Sequence, residues 1–199
     1  MNDKTRANFK NQIVSKMRTL SDEQQKMANW DNELRFYSKD YSDIQVIDIA
    51  QQAIDFAHEN FKEKETVYEG YEFEYECKVT NVALGIESHL QKNTVHKKSL
   101  VIKQFVLNII NNEKYGRGRS GFIFLLYKLK MDKELKEIAT ERKDFWATPR
   151  IQFQLLYALY RRKIKGFTNE AEQLIKDNPK ETELKKYSKK YIEQELKWK

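Results

Sequence analysis

Tyr68-Glu-Gly-Tyr-Glu-Phe-Glu-Tyr-Glu-Cys-Lys-Val-Thr-Asn-Val-Ala-Leu-Gly-Ile-Glu-Ser-His-Leu90 decides the fold class of this 199-residue chain, because it can be read in two ways. From Tyr71 to Cys77 apolar residues and glutamates alternate strictly, as in a half-buried strand. Yet Tyr68, Tyr71, Tyr75, Val79, Val82, Ile86 and Leu90 also fall on one face of a helix of about six turns. A strand needs a partner, and no second alternating run bounded by turn residues is present to pair with it. Helix is therefore the favoured reading, with a strand over 71–77 as its competitor.

Composition points the same way. The chain has 6 Gly and 2 Pro, about 4% together where roughly 12% is ordinary. Hairpins and tight turns draw on that stock, so a sandwich, a barrel or a loop-rich enzyme is disfavoured. Aromatic residues at 13% can fill a core and argue against disorder. Charged residues reach 34%, above the usual roughly 25%. Cys77 is the only cysteine, which excludes an intrachain disulfide and a cysteine-built zinc site. The first ten residues lack the apolar region of a secretory signal, and no apolar run approaches a membrane span. These features lead us to expect a cytoplasmic protein. The net charge of +7 permits nucleic acid or an anionic membrane as a partner, although lysine-rich solvated helices produce the same sum.

The remaining periodicities predict one all-α domain over 1–199, with N-terminal helices (1–62), the acidic-aromatic segment (63–92), a helical-hairpin core (93–178) and a basic C-terminal helix (179–199). Phe9, Ile13, Met17 and Leu20 form an apolar stripe, and Met27, Trp30, Leu34 and Tyr37 form another. Ser21-Asp-Glu-Gln24 and Ser42-Asp-Ile-Gln45 read as capping boxes; the second precedes Ile47, Ala50, Ile54, Ala57 and Phe61. Thr94 is a candidate cap for a helix in which eight of the eleven residues Leu100–Ile110 are apolar, a pattern suited to the middle of a bundle. Tyr115-Gly-Arg-Gly-Arg-Ser-Gly121 breaks that helix. Thr148-Pro149 reads as an N-cap and first helical residue for a helix holding Ile151, Leu155, Leu156 and Leu159. Gly166 closes it, Thr168 opens a short helix, Asn178-Pro179 ends that one, and a last helix starts near Glu181.

One internal echo is present. Leu125-Leu-Tyr-Lys-Leu129 matches Leu155-Leu-Tyr-Ala-Leu159, and the helices at Glu134-Leu-Lys-Glu-Ile-Ala139 and Glu170-Ala-Glu-Gln-Leu-Ile175 follow them. Over about residues 120–178 this pattern of long apolar helix, turn and short amphipathic helix resembles HEAT- or TPR-type α-solenoid repeats. The Trp, Gly, Ala and Pro positions of the TPR signature are absent. The resemblance implies a scaffold of about 8–10 helices, stacked as hairpins or as an irregular helical bundle, and implies nothing about chemistry.

Residue patterns that would support reaction chemistry are scarce. His58, His89 and His96 match no metal-ligand spacing, and the expectation is of partly exposed helix histidines with no metal and no cofactor. Gly118-Arg-Ser-Gly121 lacks the spacing of a nucleophile elbow and is not followed by the Lys of a phosphate-binding loop. A nuclease-like Glu-x-Lys occurs at Glu76, Glu134, Glu141, Glu183 and Glu195, too often in a Glu/Lys-rich chain to mark a site. No catalytic residue is assigned.

Three features concern binding. Glu65, Glu69, Glu72 and Glu76 would line up beside Tyr68, Tyr71 and Tyr75 on a helix, an acidic-aromatic stripe suited to a protein partner with a basic surface. Lys114, Arg117 and Arg119 in the glycine-rich loop, with Arg161, Arg162 and Lys163, form an alternative anion or nucleic-acid site. In the last helix Lys185, Lys186, Lys189 and Lys190 oppose Leu184, Tyr187, Tyr191 and Ile192, and residues 161–199 carry a net +5. The expectation is thus a non-enzymatic helical binding protein acting through protein–protein interaction, in its concrete form an immunity- or antitoxin-type inhibitor. Nucleic-acid binding through the basic loop and C-terminal region is the alternative.

Overall fold

Ser42 and Gln45 open the first described helix as a reciprocal pair. The Ser42 N–H donates to Gln45 Oε1 at 2.9 Å, and the Gln45 N–H donates to Ser42 Oγ at 3.3 Å, so two amide donors left over at the helix start are satisfied. The computed structural model describes residues 41–61, 69–92, 95–148, 150–178, 180 and 182–198. For 60–61, 69–77 and 92 it describes the backbone alone. The stripes and capping box expected within 1–40 lie outside the described residues.

Among the described residues the chain is all-α, with no strand. It divides into two compact units, 1–121 and 122–199. In the first unit, α1 (Asp43–Phe61) buries Val46, Ala50, Ala53, Ile54 and Ala57, a 3.6-residue pattern, against α2 (Glu69–Lys92). The contested 71–77 stretch is helix, the first turns of α2. Farther along α2, Val79, Val82, Ala83, Ile86 and Leu90 are at most 1% exposed, which fits the helical stripe and leaves no period of two.

A short 3₁₀ turn, His96–Lys98, leads into α3 (Leu100–Asn111). Ser99 caps it, its hydroxyl accepting from the Ile102 N–H at 3.4 Å. Thr94, the expected cap, lies outside the described residues. The expected all-round burial of α3 is corrected. Ile102, Phe105, Val106, Ile109 and Ile110 are buried, whereas Leu100 and Val101 in its first turn are exposed.

A 3₁₀ stretch, Glu113–Arg119, replaces the expected loop. Gly116 has φ +49°, in the left-handed region. The other two glycines serve close packing. A Cβ on Gly118 would sit 2.9 Å from Val79 Cβ, and one on Gly121 would meet Ala83 Cβ at 3.0 Å and Thr80 Cα at 3.1 Å.

The second unit takes in most of α4 (Ser120–Leu129), then α5 (Asp132–Glu141), α6 (Lys143–Ala147), α7 (Ile151–Arg162), α8 (Thr168–Asp177) and α9 (Glu183–Glu195). Helix α7 packs on α5, α6 and α9, and Ile151, Leu155, Leu156, Ala158 and Leu159 are fully buried. Two boundary expectations need correction. The Thr148 hydroxyl donates to the Asp144 carbonyl at 2.7 Å and closes α6; α7 starts after Arg150 without a side-chain cap. Pro149 lies outside the described residues. Helix α7 ends on Lys163 in the left-handed conformation, φ +56°, while Gly166 (φ +105°) lies farther along the loop.

The echoed segments occupy α4–α5 and α7–α8. Helix α8 finds its main packing partner in α9, and Thr182 caps α9 by accepting from the Lys185 N–H at 3.3 Å.

Candidate functional site

Asp43, the first residue of α1, lies where His89 near the end of α2 and His96 of the 3₁₀ turn both reach it. Asp43 Oδ1 is 2.8 Å from His89 Nε2 and 2.7 Å from His96 Nδ1. The two imidazole rings lie 4.0 Å apart between centroids, inclined by 36°. His89 is fully buried, while the side chains of His96 and Asp43 are 24% and 25% exposed. The expectation of partly exposed helix histidines is therefore corrected for His89, whose position follows from α2 turning this face to the core. Burial alone would raise the Asp43 carboxyl. Hydrogen bonds from Ser99 and His89, with charge on His96, outweigh it and hold the group below the usual carboxylate range. Three elements supply the three residues, so no spacing in the sequence announces them. Ile44, Val95 and Leu100, next in sequence to Asp43, His96 and Ser99, are exposed aliphatics.

A second constellation lies within the unit 122–199. Phe124 and Tyr127 of α4, Phe153, Tyr157 and Tyr160 of α7, Tyr187 of α9 and Trp198 are all half-buried. They form one continuous series of ring contacts with centroids 5.2–6.5 Å apart, within the usual range for aromatic pairs. Cations stand over this band: Lys128 at 4.9 Å from the Phe124 ring and 5.3 Å from that of Tyr127, Arg161 at 5.4 Å from Tyr127 and 5.7 Å from Tyr157, and Lys190 at 5.1 Å from Tyr187. Residues 122–199 hold 19 Lys+Arg against 12 Asp+Glu, whereas 1–121 hold 18 of each. The whole net charge of the protein therefore belongs to the unit that carries the band.

The expected site residues are distributed as follows. Glu65 and Tyr68 lie outside the described residues. Glu69, Tyr71, Glu72, Tyr75 and Glu76 belong to the first turns of α2, where the backbone alone is described. Of the alternative set, Lys114, Arg117 and Arg119 fall in the first unit and Arg161, Arg162 and Lys163 in the second. Arg119 is 6% exposed, and its guanidinium donates to the Gly116 carbonyl at 2.7 Å and that of Ile110 at 3.5 Å, so it closes the 3₁₀ stretch from inside. Lys114 approaches Asp55 at 3.6 Å. Arg162 grips both Asp132 oxygens, with Nη2 at 2.7 Å from Oδ2. Arg161 and Lys163 are exposed. Sequence reasoning missed the aromatic band because its rings come from α4, α7, α9 and the residues after it, and only their packing makes them neighbours.

Compared with known proteins, the chain matches no family model, no curated protein and no solved structure.

Proposed function

We propose that the protein is a helical binding protein whose partner is another protein, held by the aromatic band of the 122–199 unit. The observation that carries this reading is the band itself: seven half-buried rings in mutual contact, crossed by Lys128, Arg161 and Lys190. Tyr, Trp, Phe and Arg are the residues enriched where proteins bind each other. Tyr and Trp cover large areas at small entropic cost and offer a polar tip beside an apolar body. Nucleic acid is the less favoured partner. Single strands bind by stacking bases on open ring faces, and here cations stand over the faces of Phe124, Tyr127, Tyr157 and Tyr187. Net positive charge on this unit suits a partner with an acidic surface, which would be steered to it. The acidic-aromatic stripe at 65–76 would favour a basic one. An inhibitor that masks its target needs no reaction centre, and the immunity- or antitoxin-type role is the concrete form of this proposal.

The test is capture by the full chain from lysate of its native cell, with and without nuclease, compared with Arg161→Ala and Tyr187→Ala variants. A nuclease-resistant partner, recovered at least tenfold less by the variants, is the expected result. Capture that disappears with nuclease, or that the variants leave unchanged, overturns the proposal.

A further inference from the structure

Asp43, His89 and His96 are arranged as a ligand set. One donor atom from each lies within 4.8 Å of the other two, and both imidazoles aim a nitrogen at the same carboxylate oxygen. A simple latch between α1 and α2 would need one histidine; here a second converges from the 3₁₀ turn through the opposite ring position, Nδ1 rather than Nε2. We infer that these three residues form a binding site for one divalent transition-metal ion of the zinc type.

Donor chemistry selects the ion. Two imidazole nitrogens and one carboxylate oxygen suit Zn²⁺, whereas Mg²⁺ and Ca²⁺ take oxygen ligands almost alone. Zinc bonds of roughly 2.0–2.2 Å set neighbouring ligands of a tetrahedron about 3.4 Å apart. The observed 2.7 and 2.8 Å separations need to open by about 0.6–0.7 Å, and the two imidazole nitrogens, within 4.8 Å of each other, need to settle at the same spacing. His96 can make that movement, because its side chain is a quarter exposed and its element is a three-residue turn. His89, fully buried in α2, is the fixed wall. Ser99, hydrogen-bonded to the Asp43 carboxylate, orients that ligand from outside, a recurrent arrangement around protein metal ions. Three protein ligands leave a fourth position, and the partial exposure of Asp43 and His96 opens it to water.

The tag-free full-length protein, stripped with a chelator and then titrated with Zn²⁺ against a chromophoric competitor, tests this. One ion per chain is expected, with Asp43→Asn and His96→Ala each weakening the dissociation constant at least tenfold and His58→Ala leaving it within about twofold. Both diagnostic substitutions fall at partly exposed side chains, and circular dichroism verifies that the variants keep their helices. Nitrogen NMR of the imidazoles adds a second readout, with zinc moving the His89 Nε2 and His96 Nδ1 resonances and leaving His58 in place. The absence of stoichiometric uptake, uptake that survives the Asp43→Asn/His96→Ala double variant, or a zinc shift at His58 instead overturns the inference.

Discussion

Glu195 sits at the end of α9 yet completes the start of α8. Its carboxylate accepts from the Gly166 N–H, from the Thr168 hydroxyl and, at 3.1 Å, from the Tyr191 hydroxyl, at a helix start whose own N-cap, Phe167, offers no side-chain acceptor. Burial alone would raise its carboxyl, but these donors outweigh that and hold it below its ordinary value of 4.5. The folded state therefore binds the proton less readily than the unfolded chain. Its contribution is complete above pH 4.5 and is lost as pH falls through the lower folded value. Glu195→Gln is expected to cost about 1–2 kcal/mol at neutral pH and to remove this part of the acid dependence, as urea unfolding between pH 7 and pH 3 would register. Failure of the variant to flatten that acid limb would refute the capping role. Gly121 gives a second residue-scale prediction. Alanine there places a methyl carbon 3.1 Å from backbone at Thr80, so Gly121→Ala is expected to destabilise by about 1–3 kcal/mol although alanine is the better helix former. A chemical-denaturation midpoint equal to or above that of the parent protein would contradict it.

Among the elements, helix termini show how far local sequence reaches. The Ser42/Gln45 box formed as its four residues foretold, since both bonds close within three residues of one another. Ser42→Ala is expected to cost about 1 kcal/mol, measured by the same denaturation. Thr148 illustrates the opposite outcome. Its hydroxyl can serve the helix before it or the one after it, and it donates to the Asp144 carbonyl of the helix before. The Arg162–Asp132 pair joins the last residue of α7 to the first of α5, with a cation at a helix C-terminus and an anion at an N-terminus. Because Asp132 is 45% exposed, screening limits Arg162→Ala to about 0.5–1 kcal/mol, which thermal unfolding at low and at high salt would resolve.

At the scale of the whole molecule, charge is apportioned unevenly. The 1–121 unit is neutral in formal charge and the 122–199 unit carries all of the +7. Partner capture through the aromatic band is therefore expected to weaken steadily as sodium chloride rises. Zinc held by Asp43, His89 and His96 is expected to respond far less, because short coordination bonds at a partly buried site are poorly screened. Binding curves for both ligands over one salt series compare the two; equal salt sensitivity would count against assigning them to different sites.

Helix class, the buried stripe of α2, the Ser42 cap and the end of α8 before Asn178 were legible in the residues, because period and capping act over three or four positions along one chain. The fate of the arginines was not. Arg117 and Arg119 each follow a glycine two positions apart in one loop sequence, and it took the packing of the 3₁₀ stretch to bury Arg119. Asp43 and His89 stand 46 residues apart, and the rings of Phe124 and Trp198 are joined through α7 and α9. Such meetings depend on which faces of amphipathic helices close on one another. That choice is made by shape and burial summed over the assembled unit, and no single stretch of the chain contains it.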